Sequence, residues 1–359
     1  MKNKECRQEP RSELPHIAIV ILNWNGADML RQYLPSVLAC SHEEGVQVMV
    51  ADNASTDESL QVMSEQFPQV PVIRLERNYG FAEGYNRALA QVEADYFLLL
   101  NSDVEIRQPH WLQPMLTYMD AHADVAACQP KLLSLREPTK FEYAGACGGF
   151  IDRLGYPYCR GRLLATVEED HGQYDTPCDI HWATGAALLI RSGDWRAQKG
   201  FCADFFAHQE EIDLCWRLRR NGRRIVCIPQ STAYHLGGGA LAYGHPRKTF
   251  LNHRNNLLML RRNLPPEQLQ RVMRWRWWLD RLTALNHLLH LQPSHARAVM
   301  EGRKESRTPS LLSQEEKSQG TISSHEPVLL WQYYVLGHKT FSQLPRHATD
   351  PIPPAEQTS

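Results

Sequence analysis

Four places in this 359-residue chain bring together side chains able to do chemistry. The first is Asn101-Ser102-Asp103, which follows the unbroken apolar run Tyr96-Phe97-Leu98-Leu99-Leu100. A carboxylate there suits a hard divalent cation that shares its shell with substrate phosphates, although an Asp-containing turn explains the same triplet. The second is Asp52-Asn53-Ala54-Ser55-Thr56-Asp57, and the third Asn23-Trp24-Asn25-Gly26; each also closes an apolar run. The fourth is Glu210-Glu211-Ile212-Asp213, where adjacent carboxylates open a helical pattern and can serve its dipole. Among sixteen histidines, His235 stands out because it precedes Gly237-Gly238-Gly239, a loop able to fold over a substrate.

The surrounding pattern says how these groups are held. Residues 16–22, 46–51, 70–75 and 96–100 read as strands, the first and last with no polar alternation, as in strands buried on both faces. Helical spacing fills 27–39, 58–67 and 85–92 between them. The resulting βαβαβαβ order predicts an α/β fold, a mainly parallel twisted sheet with helices on both faces. Ligands of such sheets bind beyond the carboxyl ends of the strands, where these polar loops converge. Neither G-x-G-x-x-G nor a Walker A loop is present, so a nucleotide would be held by carboxylates and amides rather than by a glycine-rich phosphate cradle.

Composition narrows the class. Thirty-nine Lys and Arg against forty Asp and Glu leave the chain near neutrality, which argues against a nucleic-acid partner. The nine cysteines include no C-x-x-C pair, so neither zinc nor a disulfide framework is expected, and a reducing compartment is. The polar start, 1–15, lacks a signal-peptide core, and no apolar run is long enough to span a membrane; the expected location is cytoplasmic.

Read together, the blocks IVILNWNG, ADNASTD, NYGFAEGYN, LNSD, TGAALLIR and EEIDLCWR, in this order over about 16–265, resemble the family 2 inverting glycosyltransferases, and most the rhamnosyltransferase-like bacterial members. The resemblance implies a GT-A-like fold and metal-assisted, single-displacement transfer from a nucleotide sugar, with Mg or Mn as cofactor. By the same resemblance Asp52 receives a hydrogen bond from the donor base, and Asp103 is the last position of the family's D-x-D metal motif. Asn101 stands where that motif begins with Asp, which removes one charge. His235 completes the metal shell or meets the diphosphate. Glu211 matches the catalytic base, as Glu instead of Asp, with Glu210 and Asp213 as the other candidates. Asn23, Asn25, Asn53, Asn78 and Asn86 would line the donor site or hold its loops, and Gly80 and Gly84 would let backbone approach the nucleotide. Trp182 would be a sugar platform or a core residue.

The rest is read from composition. Residues 16–105 form the nucleotide-sugar half and 106–265 the acceptor and catalytic half. The Gly- and aromatic-rich 145–158 reads as a mobile surface insertion. Residues 266–305 make a basic amphipathic helical extension, whose Trp and Arg suit a membrane interface or packing on the domain. Residues 306–359 read as a mostly disordered tail. The expected activity is sugar transfer to a glycan or lipid-linked glycan in cell-surface polysaccharide or glycolipid synthesis, with peripheral attachment to the inner face of the membrane. The rivals are a sugar-phosphate nucleotidyltransferase and a non-catalytic nucleotide-sugar-binding scaffold.

Overall fold

The computed structural model describes residues 17–237, 244–308 and 320–345. The expectations for 1–15, for Gly238 and Gly239, and for 309–319 and 346–359 of the tail lie outside the described residues.

The first half alternates as the apolar runs require. Strands β1 (Ile17–Asn23), β2 (Val46–Asp52), β3 (Val72–Arg74) and β4 (Tyr96–Asn101) are joined by α1 (Ala27–Cys40), α2 (Ser59–Gln66) and α3 (Gly80–Leu89). They lie parallel in the order β3-β2-β1-β4. The absence of alternation has a direct cause. Ala18, Val20, Phe97 and Leu99 point into one core layer. Ile17, Ile19, Ile21, Leu98 and Leu100 point into the other. Each strand therefore needs an apolar residue at every position.

The second half extends and reverses the sheet. It runs β5 (Val104–Glu105), α4 (Gln113–Ala121), β6 (Val125–Ser134), β7 (Gly149–Ile151), β8 (Pro157–Cys159), β9 (Arg162–Leu163), β10 (Thr166–Val167), β11 (Cys178–Asp179), β12 (Ala187–Arg191), α5 (Ser192–Ala197), α6 (Glu210–Arg220), β13 (Arg224–His235), α7 (Pro246–Asn263), α8 (Pro266–Leu289), α9 (Pro293–Glu305) and α10 (Leu329–Tyr334). The full sheet reads β11-β13-β6-β12-β4-β1-β2-β3, with β5 paired to β13. Strand β12 is antiparallel to both β4 and β6, whereas β13 and β6 are parallel. A second, antiparallel sheet holds β7 to β10.

Two expectations change. The 145–158 stretch is not a mobile surface insertion. It contributes β7 and β8, with Phe150 and Tyr158 buried. Its glycines answer close packing: a Cβ at Gly149 would stand 2.0 Å from the Trp182 indole. The disordered-tail reading fails for 320–345. There the Leu329 N–H donates to Asp152 Oδ2 at 2.9 Å, the Tyr333 and Thr166 hydroxyls meet at 2.7 Å, and Phe341 packs on Phe150. The Ser-, Gln- and Glu-rich composition belongs to 306–327; the apolar run at 328–336 supplies Leu329 and Tyr333 as anchors once a sheet exists to receive them.

Candidate active site

Parallel pairing aligns the polar loops that follow the strands. Asn23 lies opposite Asp52, and Leu22 opposite Asn101, at the carboxyl edge of β1, β2 and β4. Asp52 is buried; its Oδ2 accepts from the Ser55 N–H at 3.0 Å and its Oδ1 from Asn23 Nδ2 at 3.3 Å. Asn25, in the left-handed region at φ 51°, accepts from the Thr56 N–H at 2.7 Å. Asn23, Asn25 and Asp52 thus lock the first two loops into one hydrogen-bonded rim. Asp57 ties the next elements: its carboxylate accepts from the Ala27 and Ser59 N–H groups. Burial works against its charge, yet these hydrogen bonds hold the carboxyl below its ordinary value.

The third donor block is occupied with its own loop. Asn53 accepts from the Tyr79 N–H and donates to the Gly80 carbonyl, while Asn78 Oδ1 accepts from the Gly80 N–H. Asn86 brackets Phe201, donating to its carbonyl at 2.8 Å and accepting from its N–H at 2.9 Å. The glycine reading is corrected. Gly80, at φ 76°, is crowded by Phe206, whose ring a Cβ would meet at 2.5 Å; a Cβ on Gly84 would meet Leu22 at 3.0 Å. Both glycines admit protein rather than a nucleotide. Of the two readings of Trp182, the structure has the core one: it is buried, and its indole N–H donates to the Phe150 carbonyl at 2.9 Å.

At the end of β4, Asp103 meets His235, the last residue of β13. The short β5–β13 ladder, which sets His235 opposite Val104, makes the encounter. His235 Nε2 lies 3.1 Å from Asp103 Oδ1 and 3.3 Å from Asn101 Nδ2. On the far side of the ring, Nδ1 lies 3.4 Å from Glu142 Oε1. All three ionisable residues are buried. Burial alone would lower the imidazole, but Asp103 and Glu142 outweigh it and push His235 up to about 10. Glu142 was missed by sequence reasoning, because a single acid in a Gly-rich stretch carries no periodic signal.

The carboxylates of α6 follow a strained approach. Phe206, His208 and Gln209 all adopt positive φ, at 61°, 73° and 75°. Such conformations cost free energy and persist only when neighbours impose them. Here α7 imposes them. Asn255 Nδ2 lies 2.8 Å from each of the Phe205, Ala207 and His208 carbonyls. Arg254 donates to the Asp204 and Phe205 carbonyls, and Asn256 to Gln209 Oε1. These three residues were also missed; buried amides on an amphipathic helix were the available signal. The Phe206 carbonyl in turn accepts from the Phe81 and Ala82 N–H groups, which joins this loop to the donor loop.

The clamped loop presents Glu210 and Glu211, each with Oε2 buried and without a hydrogen-bond partner. Burial pushes Glu211 up to about 7. Burial, with the Glu211 charge, drives Glu210 further up. Glu211 lies beside Gly185 and Phe81, and the next carbonyl, Ala186, accepts from the Asn101 N–H at 3.0 Å. One strand junction therefore connects the raised carboxylate to the Asn101–Asp103 edge. Asp213 is corrected. It accepts from Arg217 Nε at 2.9 Å and Asn263 Nδ2 at 2.7 Å, with Arg262 at 3.4 Å. Burial opposes its charge, but these partners hold the carboxyl below its ordinary value, so it is a buried ion-pair anchor and a poor base.

A divalent cation can be tested against this donor set. Among the described residues no group of three or more His, Cys, Asp or Glu is arranged to hold a metal ion. Asp103 supplies one oxygen, and His235, held protonated between Asp103 and Glu142, would add a nitrogen only by giving up that proton as the ion arrives. That suits an ion that takes its remaining ligands from substrate phosphates and water. Two surface hollows elsewhere, one at Asp95, Arg191 and Arg223 and the other between α7 and α9, contain none of these groups.

Residues 18–144 match the model of Glycosyl transferase family 2. The N-acetylglucosaminyl-diphospho-decaprenol L-rhamnosyltransferase of Mycobacterium tuberculosis is 25% identical over 241 residues, 61% of this chain and 75% of its own length. The O-antigen biosynthesis protein RfbC of Myxococcus xanthus is 25% identical over 223 residues, 62% of this chain, but the chain spans only 17% of that protein. In fold, GalNAc-T7 solved with UDP, GalNAc and Mn2+ superposes with a TM-score of 0.53 at 14% identity, covering 72% of this chain and 51% of the other. The sheet is of the GT-A type, residues 18–144 are similar to Glycosyl transferase family 2, and the chain is similar to rhamnosyltransferase members of that family.

Proposed function

We propose that the protein is an inverting glycosyltransferase, rhamnosyltransferase-like, that moves a sugar from a nucleotide-sugar donor to a hydroxyl acceptor in bacterial cell-surface polysaccharide or glycolipid synthesis. The observation that supports this reading is a carboxylate raised to about 7, Glu211, beside Gly185, whose neighbour Ala186 accepts from the Asn101 N–H at the edge where Asn101, Asp103 and His235 gather. A base that titrates near neutrality can take a hydroxyl proton and still be ionised at working pH. Glu211 removes the proton from the acceptor hydroxyl while that oxygen forms its bond to the anomeric carbon. The bond from that carbon to the diphosphate oxygen breaks, the nucleoside diphosphate leaves with the electron pair, and the anomeric centre inverts. Asp52, held by Ser55 and Asn23, would meet the base of the donor. Asp103 and His235 would hold a divalent cation, Mg or Mn, which when bound offsets charge on the leaving diphosphate. Glu210, more deeply buried, keeps its own proton and leaves Glu211 to act.

The acceptor is proposed to be a lipid-linked glycan, met by a cytoplasmic protein bound peripherally to its membrane. Incubation of the full chain with radiolabelled UDP-, GDP- and dTDP-sugars tests the activity. Release or transfer of sugar from one donor supports the reading. Pyrophosphate exchange would replace it with nucleotidyl transfer, and binding of every donor without turnover would replace it with a scaffold.

A further inference from the structure

Helix α8 buries charge beside apolar area on its inward side, where Val272 joins the main core and Ala284 packs with Ala296 and Val299. Its buried residues are Val272, Arg276, Asp280 and Ala284. Arg276 and Asp280 are each 1% exposed. Arg276 Nη1 donates to Asn256 Oδ1 at 2.5 Å and to the Leu154 carbonyl at 3.2 Å; Asp280 accepts from Arg303 at 2.6 Å. Rotation of the helix would strand these buried charges, so its facing is fixed.

The outward side is left apolar. Trp275 (61% exposed), Trp278 (61%), Leu282 (58%), Leu285 (51%) and Leu289 (73%) recur at alternating steps of three and four. They form one stripe about 20 Å long. Helix α10 adds exposed Trp331 and Tyr334, and Val335 follows it. Both helices pack on the β7–β8 turn, α8 through Arg276 against Leu154 and Tyr156, and α10 through Leu329 on Asp152.

Charge identifies the occupant. Past Glu267, the one acid of α8 is the buried Asp280, whereas Arg271 and Arg274 are exposed and Arg281 stacks on Trp277 at 3.5 Å. A second copy docked through α8 would bring no acid past Glu267 except the buried Asp280 to pair with these arginines. An anionic surface would instead complement them, with indole rings at headgroup depth. Among the described residues no helix is long and apolar enough to cross a membrane.

We propose that the 275–289 stripe of α8, with the exposed aromatics of α10, docks the protein in the interface of an anionic bilayer. On the opposite, inward side of the same helix Arg276 reaches Asn256, and Asn256 reaches Gln209 beside Glu210, so two side-chain contacts link α8 to the 205–211 loop. The docking rests on the proposed function only for its use, which is to bring a lipid-carried hydroxyl to Glu211.

The test is co-sedimentation of the full chain with phosphatidylglycerol–phosphatidylcholine vesicles and with pure phosphatidylcholine. Binding should favour the anionic vesicles, weaken with salt, and fall at least about tenfold in Trp275→Ser/Trp278→Ser/Leu282→Ser. Arg271→Gln and Arg274→Gln, both at exposed positions, should each cost roughly fivefold. Circular dichroism and donor hydrolysis should be unchanged in all of them. Equal sedimentation of wild type and triple variant, or of neither, would overturn the proposal. So would a wild-type dimer in analytical ultracentrifugation that the triple variant abolishes without any vesicle binding. Vesicle binding without activity toward any nucleotide sugar would leave this face standing and remove the transferase reading.

Discussion

The raised Glu211 carboxyl ties catalysis and stability together with opposite signs. Its ordinary value is 4.5, and burial lifts it to about 7 in the folded chain. Below both values the residue is protonated in the folded and unfolded chain alike and costs nothing. As pH rises through 4.5 the unfolded chain ionises first, so the native state loses stability until the folded carboxyl ionises near 7. That interval corresponds to roughly 3 kcal/mol, fully lost above about pH 8. Glu211→Gln keeps the shape and cannot ionise. It should be more stable than wild type by up to about 3 kcal/mol near pH 8, and no different near pH 4. Turnover should meanwhile fall by about a hundredfold or more, with nucleotide affinity retained. Urea unfolding at the two pH values, followed by tryptophan fluorescence, reads the first effect. Donor-dependent transfer and calorimetric nucleotide binding read the second. The acid limb of wild-type kcat/KM should lie near 7. A limb near the ordinary carboxylate value, or a variant less stable than wild type at the higher pH, would refute the account of a desolvated base.

Three further outcomes are expected. Asp103→Ala should abolish transfer with the fold intact by circular dichroism, and excess EDTA should mimic it; full activity in either case removes the metal-assisted reading. Glu142→Gln takes away the carboxylate behind His235 Nδ1, and should weaken Mn2+ binding, followed by electron paramagnetic resonance, by about ten- to a hundredfold; unchanged Mn2+ affinity would mean that Glu142 serves packing only. Asn255→Ala leaves buried carbonyls of the 205–208 loop without their donor and should cost about 2–4 kcal/mol in unfolding free energy. Its kcat should fall while the KM for the donor holds, since Asp52 and Asp103 are untouched; a rise in donor KM with kcat preserved would detach the clamp from the base.

Which groups share the sheet edge was legible in the sequence because periodicity and chain order carry that information. Apolar runs without alternation required strands with two buried faces, and a parallel order required their polar ends to converge. Choosing among neighbouring acids was not legible. Glu210, Glu211 and Asp213 occupy one helical turn, and Asp213 is disqualified by Arg217 four residues on together with Arg262 and Asn263 arriving from α7. Glu142 is joined to His235 by tertiary packing alone, across a stretch whose glycines suggested a loose loop and in fact make room for Trp182. Asn53, Asn78, Gly80 and Gly84 fall between these cases: their types and spacing marked a built loop, but the same types serve a ligand or a neighbouring chain segment equally well, and contacts with Tyr79, Phe206 and Leu22 decide it.

Helix α8 shows the limit most clearly. Its sequence was compatible with a helix packed on the domain or one laid on a membrane, and these looked like alternatives because an amphipathic pattern normally buries its apolar side. The choice is not exclusive when ion pairs form part of the inner face. Arg276, Asp280 and Arg303 satisfy one another and Asn256 inside the protein. That leaves Trp275, Trp278 and the leucines outside. A hydropathy pattern gives two faces and their difference in polarity; it does not give which is inward. That depends on whether the partner surface offers apolar area or charge, and here it offers both: Asn256, the Leu154 carbonyl and Arg303 take Arg276 and Asp280, while Val272 joins the core and Ala284 packs on Ala296 and Val299. Any reading of such an extension therefore has to ask what its charged side could pair with before assigning its apolar side to the core.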